Sequence, residues 1–154
     1  YYNLGNCYYK MGDFNRAAEY FNRAAAIYQE ESSDILPKAF FSLAHAYFKL
    51  KQLEQADDAL NKGIDIARRS DDSIYLSKFH FLKALYLDDD GRAQMLETFK
   101  LLGSKKMYPD IEDLALEAAE YYNEIGRLSD SVYFYQTVFS ARKQMKKGDW
   151  SYEI

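Results

Sequence analysis

Four carboxylates, Asp113, Glu117, Glu120 and Glu124, follow one another at intervals of 4, 3 and 4 residues. On an α-helix that spacing puts all four on one face, where like charges cost about 0.2–0.5 kcal/mol per pair. Between Tyr108 and Tyr135 these four stand with Asp110, Glu112 and Asp130 against Arg127 alone, a local charge of −6. Helix stability does not explain such a row. Two readings do: a set of carboxylates that receives a cation, or the solvated face of a terminal helix. Asn3 and Asn6 form a second polar set, and their amides offer both donor and acceptor, as the backbone of an extended peptide requires.

Other chemistry is thinly represented. There is no Gly-rich phosphate loop, no metal-spaced Cys or His cluster and no nucleophile elbow, so no catalytic residue, cofactor or metal is assigned. With Gly91 at the sixth place of a calcium loop, Asp88, Asp90 and Glu97 fit, but Tyr86 holds the first ligand position; Asp88-Asp89-Asp90-Gly91 is read as a polar turn. His45 and His80 are too few for zinc and are read as groove or packing residues, or as a pH-sensitive contact to a partner. Arg142, Lys143, Lys146 and Lys147 end a helix just before Gly148, where cations favour the negative end of the dipole. With a net charge of −4 and a pI near 5.2, phosphate binding is not the chain's main task, and neither nucleic acid nor membrane is a predicted direct partner.

The elements that must carry these residues repeat. Gly5, Ala44, Lys83 and Ala119 anchor four segments separated by 39, 39 and 36 residues, and Tyr8, Tyr47, Tyr86 and Tyr122 each follow their anchor by three. Lys83 is the anomalous anchor. Breaks at Gly12-Asp13, Ser32-Ser33-Asp34 before Pro37, Ser70 to Ser73, Gly103-Ser104, Pro109-Asp110 and Gly126 leave eight predicted helices. These run near 1–11, 14–31, 34–50, 53–69, 73–88, 91–104, 109–126 and 128–147, with no strand pattern. The fold class is therefore all-α, a stack of about four helix pairs. Small residues at Gly5, Ala17, Ala24, Ala44, Ala56 and Gly63 let helices approach closely, and no pair buries that face alone.

Leu4-Gly5, Tyr8, Gly12, Phe14, Ala17, Phe21 and Ala24 occupy the signature slots of the tetratricopeptide repeat, which the first segment closely resembles; the resemblance implies that the helix pairs form a right-handed superhelical stack. The second keeps Leu43-Ala44, Tyr47, Leu53, Ala56 and Leu60. The fourth keeps Ala119, Tyr122, Gly126 and Leu128 but has Ser131 in place of alanine, and the third diverges most. In that register the slots facing a concave groove hold Tyr2, Asn3, Asn6 and Tyr9, then Lys38, Phe41, Ser42, His45 and Lys49, then Ser77, His80, Phe81 and Ala84. Asp113, Glu117, Glu120 and Glu124 follow in the fourth repeat.

A narrower resemblance lies in Ile35-Leu36-Pro37-Lys38-Ala39-Phe40-Phe41-Ser42-Leu43, in Asn3 to Tyr8, and in the ending Lys147-Gly148-Asp149-Trp150-Ser151-Tyr152-Glu153. These resemble the C-terminal half of the Rap family, cytoplasmic response regulator aspartate phosphatases and antagonists of Gram-positive bacilli. The resemblance implies a short, cationic, Phr-like signalling peptide in the groove, with Asn3 matching the family's groove asparagine. It also implies a response regulator as partner, engaged with its phosphatase residues through an N-terminal helical bundle that has no counterpart in these 154 residues. The alternatives are the peptide-sensing half of a related quorum-sensing transcription factor and a general docking scaffold.

The organisation expected is a single domain with repeats near 1–32, 33–71, 72–107 and 108–147 and a tail from 148 to 154. Tyr1 already sits at a helix start without a cap, which suggests a fragment of a longer protein. The single cysteine, Cys7, is expected to be an interior packing residue, and with no apolar run long enough for a span the reducing cytoplasm is the default compartment.

Overall fold

The computed structural model describes residues 1–31 and 34–148, so the expected ending from Asp149 onward and the Ser32-Ser33 break lie outside the described residues. Among the described residues the secondary structure is eight α-helices: α1 (Tyr2–Lys10), α2 (Phe14–Glu30), α3 (Leu36–Lys49), α4 (Leu53–Arg69), α5 (Ser73–Leu87), α6 (Arg92–Ser104), α7 (Tyr108–Glu124) and α8 (Leu128–Gly148). Each boundary lies within two residues of its sequence-based expectation.

The starts and stops have local causes. Asp13 and Asp72 cap α2 and α5, accepting from the backbone N–H of Arg16 at 3.2 Å and of Tyr75 at 3.0 Å. Pro37 and Pro109 occupy the first turns of α3 and α7, where a missing N–H costs nothing. Five helices end in a left-handed residue: Gly12, Lys51, Asp71, Lys106 and Gly126, with φ between 55° and 82°. The next N–H then reaches back over the turn, from Asp13 to the Tyr8 carbonyl at 2.9 Å, Gln52 to Tyr47 at 3.0 Å and Arg127 to Tyr122 at 2.8 Å. The recurrent tyrosine is thus also the residue whose carbonyl closes the turn.

The third repeat breaks this rule. At the end of α5, Asp88 is extended (φ −122°, ψ 131°), and its Oδ1 accepts from the Asp90 N–H at 3.2 Å. Gly91 lies so close to α5 that an added Cβ would stand 2.7 Å from the Ala84 Cβ. The close approach therefore falls at Ala84, and the aligned anchor Lys83 is exposed, whereas Gly5, Ala44 and Ala119 are buried. Ala84, expected to face a groove, is buried for the same reason, and Phe81, expected there too, is also buried.

The chain packs as two compact units, Tyr1–Met95 and Leu96–Ile154. In the first, Phe21, Leu60, Phe79 and Leu82 are fully buried among alanines at Ala17, Ala39, Ala44, Ala56 and Ala67, and Phe48 stacks on Tyr86 at 4.3 Å. In the second, α7 and α8 form an antiparallel pair around Tyr122 and Phe134, whose rings stack at 5.6 Å. Ser131 is buried there, and its hydroxyl donates to the Ala119 carbonyl at 2.8 Å. That bond explains a polar residue at an alanine slot, since a buried hydroxyl is tolerated once it has an acceptor. Cys7, expected in the interior, is exposed, because Gly5 is the buried residue of α1.

Candidate functional site

Within the first unit, α1, α3 and α5 present a shared polar and aromatic surface. On α3, Lys38, Phe41, Ser42 and His45 fall at steps of three and four residues and so share a face; Tyr2, Asn6 and Tyr9 do so on α1. Cross-helix bonds tie these faces together. The Tyr2 hydroxyl lies 3.1 Å from the Ser42 Oγ, and the Tyr9 hydroxyl lies 3.0 Å from the His45 Nε2. The Phe41 ring meets His45, Tyr75 and Phe79 edge-on at 6.1, 6.0 and 5.9 Å, making a continuous aromatic row from α1 to α5. Two ammonium groups lie against these rings: that of exposed Lys38 is 5.3 Å from the centre of the Tyr2 ring, and that of Lys78, a buried residue, is 4.9 Å from that of Tyr75.

Asn3 is exposed and Asn6 half-buried, and among the described residues neither amide is hydrogen-bonded. They stand beside partners already committed to one another, so the surface is preorganised around groups that are still available. Tyr75 and Lys78 escaped the sequence reading. Tyr75 precedes Phe79 by four residues and therefore shares its face, a signal that the repeat register, weak in this segment, concealed.

His80 is half-buried on α5, and its imidazole is held below its ordinary pKa, first by loss of solvent and then by the positive charges of Arg68 and Lys83. The folded state thus favours neutral imidazole, whereas the unfolded chain protonates as pH falls through about 6.5. The stability due to His80 is full above that pH and is lost as pH falls from there toward the lower folded value. His80→Gln is expected to flatten the dependence of urea midpoint on pH between 7.5 and 5.5. An unchanged slope would assign that dependence to other groups.

In the second unit, Asp113, Glu120 and Glu124 are exposed on α7 but Glu117 is buried, at 7 % relative exposure. The expected single row of four is therefore an exposed set of three with one interior carboxylate. Two neighbouring acids are engaged: Glu112 accepts from Arg142 Nε at 2.7 Å, and Asp130 from Arg127 Nε at 2.8 Å. The first pair joins α8 to α7 across 30 residues, so Arg142 serves the helix pair rather than the dipole at the end of α8. Among the described residues no group of three or more His, Cys, Asp or Glu is arranged to hold a metal, and no helix is long and apolar enough to cross a membrane.

A family model described as tetratricopeptide repeat matches residues 1–69. Response regulator aspartate phosphatase A of Bacillus subtilis (strain 168) is 39% identical over 153 residues, 99% of this chain and 40% of that relative. The chain thus spans about two fifths of the length of this curated relative. A crystal structure of a Rap protein complexed with competence and sporulation factor superposes with a TM-score of 0.91 at 34% identity, covering 95% of this chain and 41% of that one. The Rap conjugation gene regulator of plasmid pLS20, in complex with the Phr* peptide, superposes with a TM-score of 0.88 at 25% identity, covering 95% and 40%. The repeats, the all-helical fold and the extent of these matches agree: the chain is an all-helical array of tetratricopeptide-like repeats, and nearly its whole length is similar to part of the Rap response regulator aspartate phosphatases.

Proposed function

We propose that this chain is the peptide-binding regulatory domain of a Rap-like response regulator aspartate phosphatase, acting in the cytoplasm on a short Phr-like signalling peptide. The observation that carries the reading is the α1–α3–α5 surface, where Asn3 and Asn6 keep free amides beside a tied row of Tyr2, Ser42, Tyr9, His45 and Phe41. An extended peptide needs such amides for its backbone and aromatic faces for its side chains. The complexes of similar Rap proteins with competence and sporulation factor and with the Phr* peptide support the same class of ligand.

Residues Tyr2, Asn3, Asn6, Lys38, Phe41, His45 and His80 are proposed as peptide contacts of the first unit. Asp113, Glu120 and Glu124 are proposed as acceptors for a cationic side chain, whereas Glu117 is buried. Regulation then follows by linkage. A peptide that lowers the affinity of the full-length protein for a response regulator must itself bind more weakly when that regulator is bound.

Calorimetric titration of the chain with short cationic and anionic peptides, at low and physiological salt, tests the reading. Selective binding of cationic peptides that weakens with salt is expected; no binding by any peptide would overturn it. Glu120→Lys, an exposed change, should leave stability within about 0.5 kcal/mol and weaken cationic peptides, mainly at low salt. Equal affinity of wild type and variant for cationic peptides would make Glu120 a solvated residue only.

A further inference from the structure

Charge in the first unit is segregated between its two kinds of helix. The first helices of the three repeats, α1, α3 and α5, contain Lys10, Lys38, Lys49, Lys78 and Lys83 and not one Asp or Glu. Acids sit instead on α2, α4 and the turns, where Asp13, Glu19, Asp58 and Asp65 pair with Arg16, Arg23, Lys62 and Arg69. Lys38 is exposed, and among the described residues its ammonium has no carboxylate partner; it is placed by the face of the Tyr2 ring, which orients the charge without neutralising it. Beneath it the Tyr2 and Ser42 hydroxyls share one hydrogen bond at 3.1 Å, so one of the two O–H groups remains available to donate outward. Asn6 lies one turn along α1 from Tyr2 and adds amide N–H donors. An ammonium, a spare hydroxyl and an amide can each donate, with no anion among them, and so complement a carboxylate.

We propose that Lys38, with the Tyr2–Ser42 hydroxyl pair and Asn6, forms a carboxylate-binding subsite that receives the free C-terminus of the peptide. The subsite rests on the peptide reading above and deepens it. It gives the ligand a direction, because the terminal carboxylate is drawn to Lys38 and the backbone then leads away along the Asn3 and Asn6 amides. Salt weakens the contact, since Lys38 is exposed, but the Tyr2 ring restricts the ammonium and lowers the entropy lost on binding.

The test uses the full chain and pooled pentapeptides that carry one arginine at each position in turn and are randomised elsewhere, made as free acids and as C-terminal amides. Bound peptides are recovered and read by mass spectrometry for wild type, Lys38→Gln and Lys38→Arg, with circular dichroism confirming that each variant is folded. Wild type is expected to enrich free acids about tenfold over amides, with the ratio near one for Lys38→Gln and restored by Lys38→Arg. Lys38-dependent enrichment of those amides that carry Asp or Glu would retain the carboxylate subsite but assign it to a side chain. Equal enrichment of acids and amides by wild type, or a preference untouched by Lys38→Gln, would overturn the subsite while the peptide reading stands. Failure to enrich either pool would overturn both.

Discussion

Phe79→Ala is expected to lower the unfolding free energy by about 3–5 kcal/mol, the cost of emptying a fully packed aromatic site. Phe79 is entirely buried, touches the Phe41 ring at 5.9 Å and lies against the backbone of Gly63, where an added Cβ would stand 2.9 Å from its Cε2. The same ring therefore holds α5 to α4 and supports the underside of the Phe41–His45–Tyr75 row. Gly63→Ala by itself is expected to cost about 1–3 kcal/mol by overpacking, despite the better helix propensity of alanine. In the double variant the new methyl enters the space the ring has left, so the two costs should fall short of their sum by at least about 1 kcal/mol. Urea unfolding of the four proteins measures the cycle. Simple additivity would show that ring and glycine do not share this contact, and a loss below about 1 kcal/mol for Phe79→Ala would show that the site collapses without penalty.

Asn3→Ala and Asn6→Ala together are expected to weaken every bound peptide by roughly a hundredfold, about 1–1.5 kcal/mol for each lost amide contact. Both side chains lie on α1 with no hydrogen bond among the described residues, and alanine is the better helix former, so the fold should be as stable or slightly more so. Affinity and stability are thus expected to move apart, which separates a binding role from a structural one. Calorimetry against several peptides of unrelated sequence reads the effect. A loss confined to some of them would mean that the amides read side chains, and unchanged affinity would remove them from the site.

Much of this architecture was legible because its signals are local. A cap at Asp13 or Asp72, a proline in the first turn of α3 or α7 and a glycine that enters the left-handed region at Gly12 or Gly126 act within one turn of helix. Period and punctuation therefore located the eight helices of the described residues. Lys51, Asp71 and Lys106 do the work of glycine at equivalent turns without advertising it, since the strain of a side chain at positive φ is offset by hydrogen bonds that only the folded turn makes.

The candidate site was legible as a set of residue types but not as a set of contacts. Asn3, Asn6, Lys38, Phe41 and His45 followed from the repeat register; that Tyr2 bonds Ser42 and Tyr9 bonds His45 depends on how two helices 40 and 36 residues apart are placed side by side. The third repeat misled for a related reason. Its anchor shifted from Lys83 to Ala84 because Gly91 lets the following turn press against α5, a choice made by packing between segments rather than by period.

By itself, then, the sequence determined the helices, their pairing as repeats and the absence of acids from α1, α3 and α5, because each depends on residues within a few turns of one another. Tertiary structure alone decided which polar groups are committed and which are free. It buried Glu117 while leaving Glu120 exposed, gave Ser131 its carbonyl and Arg142 its carboxylate, and left the ammonium of Lys38 over a ring without an anion. Burial and hydrogen-bond pairing are properties of contacts between distant segments, and no periodicity within one helix carries that information.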